Sequence, residues 1–115
     1  SRSQHENKAR ALVRLRRAVA LTQRNTLVPK SPLPEFYAAA LARDLSLHVN
    51  PRHPQYLLIV QYVLDVLHLH GAAVSEAASD LQISTGQLIR FLKDDDDLWE
   101  HANRMRQKCG LTALR

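Results

Sequence analysis

Between Tyr56 and Leu69 the chain reads YLLIVQYVLDVLHL, an apolar run broken only by Gln61, Asp65 and His68. Those three fall at i, i+4 and i+7, so a helix would gather them into one narrow wet stripe and leave the rest of its circumference apolar. The valines are compatible with a strand, but a run of this length favours a helix. A segment apolar on most sides needs other elements packed around it, which makes it the expected centre of the core. At 115 residues there is room for one modest core. Aromatics supply only 5% of the chain, so leucine, valine and alanine must fill it. Three glycines and little period-two alternation argue against a sandwich or barrel. The expected fold class is all-α: an N-terminal basic helix plus a small helical bundle.

Around that centre the punctuation is clear. From about Gln4 to Arg24 one helix is predicted, with Leu12, Leu15 and Val19 forming an apolar stripe. At 100° per residue Arg10, Arg14, Arg17 and Arg24 fall on the opposite side, so the stripe is expected to pack while the arginines meet phosphate. Ser3 is a plausible N-cap, as is Ser1. Residues 25–33, with prolines at 29 and 32 and another at 34, read as a linker. Pro34 suits the first turn of a short helix to about Leu45, with Phe36, Tyr37, Ala40 and Leu41 on its apolar side. Gly71 is placed to end the central helix. A last helix begins in Asp94–Asp97, includes Leu98, Trp99, Ala102 and Met105, and ends near Gly110. The expected organisation is a basic helix over 1–24, the linker 25–33 and a helical domain over 34–115.

Residues 70–93, HGAAVSEAASDLQISTGQLIRFLK, resemble the helix-turn-helix of the Fis type. The matching positions are Gly71, Val74, Ala77, Ala78, Leu81, Ile83, Ser84, Leu88, Leu92 and Lys93. Small Ala77 and Ala78 let two helices approach, Leu81 and Ile83 plug the corner, and Ser84 is placed to cap the second helix. The family usually has glycine in the turn where this chain has Gln82, which makes a left-handed conformation there more costly. In a DNA reader the second helix would offer Thr85, Gly86, Gln87, Arg90 and Lys93 to the major groove. Four aspartates follow at once and repel a duplex. Duplex DNA is therefore a less favoured partner than a docking or purely structural use of the motif.

The run RSQHENKARAL, Arg2 to Leu12, resembles the segment that closes the peptidyl-tRNA hydrolysis domain of class I peptide chain release factors and their ribosome-rescue relatives. Family members carry a helix there, reading roughly R-S-Q-x-x-N-K and then alanines and leucines. The matching residues are Arg2, Ser3, Gln4, Asn7 and Lys8. The family's hydrolytic Gly-Gly-Gln triplet is not in this sequence. The resemblance implies a piece from after that loop, which binds the ribosome without performing hydrolysis, and it implies rRNA as the partner.

Charge points the same way. Through Lys30 there are eight Lys/Arg and one acid; downstream there are eight Lys/Arg and ten acids. The basic excess thus sits in the first quarter, as in a polyanion-binding arm. The expected RNA-binding set is Arg2, Ser3, Gln4, Asn7, Lys8, Arg10, Arg14, Arg17 and Arg24. The function expected is RNA or ribosome binding in translation termination or rescue. The alternatives are a Fis-type DNA-binding module, contacting through Thr85, Gln87, Arg90 and Lys93, or a protein-interaction domain.

Other chemistries fit less well. Consecutive aspartates on a helix diverge, so capping suits Asp94–Asp97 better than a divalent-metal site. The histidines, His5, His48, His53, His68, His70 and His101, include no i, i+4 pair of the kind a zinc site uses. Cys109 is alone and is expected to be buried and inert; a lone cysteine also suits a reducing, cytoplasmic compartment. No cofactor, catalytic residue, metal or membrane partner is expected, and no apolar stretch reaches the roughly 18 residues of a membrane span.

Overall fold

The computed structural model describes the backbone of residues 2–44 and 47–115 and the side chains of 3–41 and 47–115. Among these residues the secondary structure is entirely helical, without strands. The helices are α1 (Arg2–Thr22), α2 (Glu35–Asp44), α3 (Tyr56–Leu69), α4 (Val74–Asp80), α5 (Thr85–Lys93) and α6 (Asp96–Lys108). Of the expected end of α2, Leu45 lies outside the described residues.

The apolar run is the centre of the bundle. Val63, Leu64 and Leu67 of α3 are completely buried, and α1, α2, α4 and α6 all pack on α3. The wet stripe holds only in part. His68 is exposed and Gln61 half-buried, but Asp65 is 2% exposed. A buried carboxylate needs partners. Asp65 finds them in the backbone N–H and side-chain amide of Asn25, both at 3.1 Å, and in Arg24. Residues 25–33 accordingly lie against the bundle, with Leu27 and Leu33 packed on its core.

Short polar contacts set the remaining elements. The Pro34 carbonyl accepts from the Tyr37 and Ala38 N–H groups at the start of α2. Tyr37, completely buried, reaches across to donate its hydroxyl to the Leu81 carbonyl at 2.7 Å. That bond ties α2 to the corner between α4 and α5, where Leu81 is itself fully buried.

Three helices end in one way. After α3, Ala72 N–H returns to Leu67 C=O and Gly71 N–H to His68 C=O. After α4, Ile83 returns to Ala78 and Gln82 to Ser79; after α6, Leu111 returns to Arg106 and Gly110 to Gln107. Each pair is a Schellman closure, which requires a left-handed residue just past the cap. Gly71, Gln82 and Gly110 fill that position with φ of 61°, 59° and 77°. The turn between α4 and α5 thus holds Gln82 in the left-handed conformation, with glutamine bearing the strain that glycine avoids. Ala77 and Ala78 are buried, 0% and 2% exposed, and Ser84 forms a capping box with Gln87.

Cys109 is exposed rather than buried. It caps the C-terminus of α6, beyond the last buried turn around Ala102.

Candidate nucleic-acid interface

The face of α1 that meets the bundle is opposite to the one its periodicity suggests. Among the described side chains of the helix only Ala20 and Leu21 are buried, at 3% and 9% exposure, and Arg17 is half-buried beside them. Leu12, Leu15 and Val19, the stripe expected to pack, are exposed. The cause is electrostatic. The bundle offers two carboxylates that require counter-charges, and Arg17 on the packed side of α1 and Arg24 just past its end carry them.

Asp95 is the first of these carboxylates. As N-cap of α6 it accepts from the Asp97 and Leu98 N–H groups at 3.1 and 3.3 Å. It also accepts from the Arg17 guanidinium at 2.6 and 2.8 Å and from the Tyr56 hydroxyl at 3.1 Å. Burial alone would raise the Asp95 carboxyl; Arg17, the Leu98 N–H and Tyr56 outweigh it and hold the group below the usual aspartate range. Arg17 is raised in turn, chiefly by its bond to Asp95. Burial, then Asp95, pushes the Tyr56 hydroxyl up. Asp97 completes the clasp at 3.1 Å from Arg17.

Asp65 is the second. Arg24 lies past the end of α1, 3.2 Å from the Asp65 carboxylate, and donates to the carbonyls of Ala20 and Gln61. Burial raises Asp65 above the usual range, against the opposing pull of Asn25 and Arg24, and burial also lowers Arg24. Arg17 and Arg24 therefore face the protein's own carboxylates and do not lie on an open cationic surface.

The remaining cations of α1 do. Lys8, Arg10, Arg14 and Arg16 are all exposed, as are Ser3, Gln4 and Asn7; the Arg2 side chain lies outside the described residues. Arg16 is not on the predicted arginine arc, and helical periodicity alone gives no reason to single it out. Its exposure follows from which side of α1 the clasp turns inward. Glu6 is the single acid of the helix.

The second predicted surface is less open. Gln87 is engaged in the capping box: its side-chain oxygen accepts from Ser84 N–H at 3.0 Å and its own N–H donates to Ser84 Oγ at 3.1 Å. Thr85 is half-buried. Arg90 and Lys93 are exposed, and the Lys93 ammonium lies 5.4 Å above the Trp99 ring. Asp94, Asp96 and Asp97 are exposed directly after them. Among the described residues no three His, Cys, Asp or Glu side chains converge as metal ligands would. His70 instead lies 2.5 Å from Asp80 and 3.7 Å from Glu76. No described helix is long and apolar enough to cross a membrane.

No family model, curated protein or solved structure matches the chain.

Proposed function

We propose that this chain binds structured RNA through the exposed part of α1, as the ribosome-binding C-terminal portion of a release-factor-like protein. The observation that carries the reading is the exposure of Lys8, Arg10, Arg14 and Arg16 on one helix with a single acid. Four cations within nine residues of helix can each replace a condensed counterion on a nucleic-acid backbone. The α1 sequence contains no Phe, Tyr or Trp. It offers phosphate contacts and no aromatic stacking platform, which suits a folded RNA better than splayed bases. The hydrolytic step of the family belongs to a Gly-Gly-Gln loop that this sequence does not contain, so the role proposed is binding.

The test is a salt titration with a ribosomal RNA fragment. Changing Arg10, Arg14 and Arg16 to Gln is expected to weaken binding. It should also flatten the slope of log K against log salt by about 0.7–0.9 for each phosphate that is no longer neutralised. Arg24→Gln should leave that slope unchanged, because Arg24 is held by Asp65. A triple variant with unaltered affinity and slope would refute the reading. Selection of a defined duplex DNA site, abolished by Arg90→Ala, would transfer the function to α5.

A further inference from the structure

The exposed apolar side chains of this protein are not scattered. Of seven large hydrophobics exposed among the described residues, four line one hollow: Val13, Leu15 and Val19 on α1 and Leu58 on α3. Between the two helices lies a trough of about 480 Å³, lined by Val13, Leu15, Val19, Pro54, Leu57 and Leu58. Among the described residues Arg16 is the one charged residue lining it. The trough continues along α1 as a shallower hollow between Ala9, Arg10, Val13 and Arg14. From Ala9 to Ala20 the wall rises about 16 Å, roughly three helical turns.

We infer that this trough is a docking site for an acidic amphipathic helix of a partner protein. An apolar channel three turns long accepts an apolar ridge with anchors at i, i+3/i+4 and i+7. Its rim selects the charge of the occupant. Arg10, Arg14 and Arg16 border the channel and no carboxylate among the described residues lines it, so a ridge flanked by Glu or Asp is attracted while a basic one is repelled. That charge argues against a second copy of this chain, whose own α1 would bring the same arginines. The trough shares Arg10, Arg14 and Arg16 with the cationic surface proposed for RNA, whereas Leu58, on α3, belongs to the trough alone.

The probe is a labelled 18-residue helical peptide with leucines at heptad-like spacing and glutamates elsewhere, titrated into the full chain and followed by fluorescence anisotropy. A peptide of equal composition with scrambled leucines, and one with lysines for glutamates, serve as controls. Binding is expected for the first peptide alone, weakened at least tenfold by Leu58→Ser and by Arg16→Glu. Val28→Ser, at an exposed apolar position elsewhere, should leave peptide binding intact. Leu58→Ser should leave the affinity for ribosomal RNA intact. Circular dichroism of each variant confirms that the helices persist. Equal binding of the lysine or scrambled peptide, or indifference to Leu58→Ser, overturns the inference. So does a concentration-dependent dimer abolished by Leu58→Ser, or retention on phosphatidylserine vesicles without binding of the acidic peptide.

Discussion

Asp95 joins three helices through one carboxylate, and replacing it in two ways separates what it does. Asp95→Ala removes the α6 cap, worth about 1 kcal/mol. It also removes the bond from Arg17 and the bond from Tyr56. Hydrogen bonds to charged groups contribute about 1.5–3 kcal/mol, but the Arg17 side chain is a third exposed and water screens the pair, so about 1 kcal/mol is appropriate. The Tyr56 bond adds about 0.5–1 kcal/mol. The expected loss is about 3 kcal/mol, a large share of the roughly 5–15 kcal/mol that holds a domain folded. Asp95→Asn preserves the cap, since asparagine caps as well as aspartate, and gives up the charge alone, at about 1 kcal/mol. Arg17→Gln added to Asp95→Asn should then cost almost nothing further. Urea denaturation followed at 222 nm measures all four proteins, and pH supplies an independent reading. The folded-state carboxyl of Asp95 is depressed, so its contribution is complete above the ordinary aspartate value of about 3.9 and disappears as pH falls through the lower folded value. Asp65, whose folded value is raised, acts in the opposite sense: its contribution is present below the ordinary value and disappears as pH rises through the folded one. Asp95→Asn should therefore remove the acid-labile part of the profile and leave the part due to Asp65. If Asp95→Asn and Asp95→Ala have the same midpoint, the cap is worth nothing here. If Asp95→Asn matches the parent at every pH, the clasp does not exist in solution.

Two further perturbations test the corner between α4 and α5. Gln82→Gly is expected to stabilise the protein by about 1 kcal/mol, because it removes a side chain from a left-handed residue that glycine occupies at the two equivalent closures; a lower denaturation midpoint would contradict this. Ala78→Leu is expected to cost about 1–3 kcal/mol by overpacking a residue only 2% exposed, and an unchanged midpoint would show that the helices do not meet there.

Local chemistry was legible in the sequence wherever neighbours along the chain decide it. The Ser84 cap, the left-handed Gln82 and the buried Ala77–Ala78 pair all depend on residues within one turn or two. The apolar run of α3 announced the core for the same reason. The side of α1 that packs was not legible. Leu12, Leu15 and Val19 form the better stripe, but a stripe records only that something apolar can cover it. Which side turns inward was set by Asp65 and Asp95, separated from their arginines by 41 and 78 positions, and no periodicity reports a pairing at such distance. Arg24 misled for a simpler cause: a helical arc was extended to a residue beyond Thr22, where the helix has already ended. The aspartate run divided its duties in a way composition could not foresee, Asp94 closing α5 and Asp95 opening α6.

The clasp on α1 grips one end of a rod. From Arg17 back to Arg2 the helix extends about 22 Å without a buried residue among those described. Arg17 is then a fulcrum, and a load on the distal end would act on Asp95 through a lever arm of that length. A lateral shift of a few ångströms at Lys8 becomes a tilt at the point where α3 and α6 meet the rod. The side chains next to that point are Tyr56 and the cap of α6, which share the Asp95 carboxylate with Arg17. Attachment at the cationic end would thus be registered in the bundle as torque.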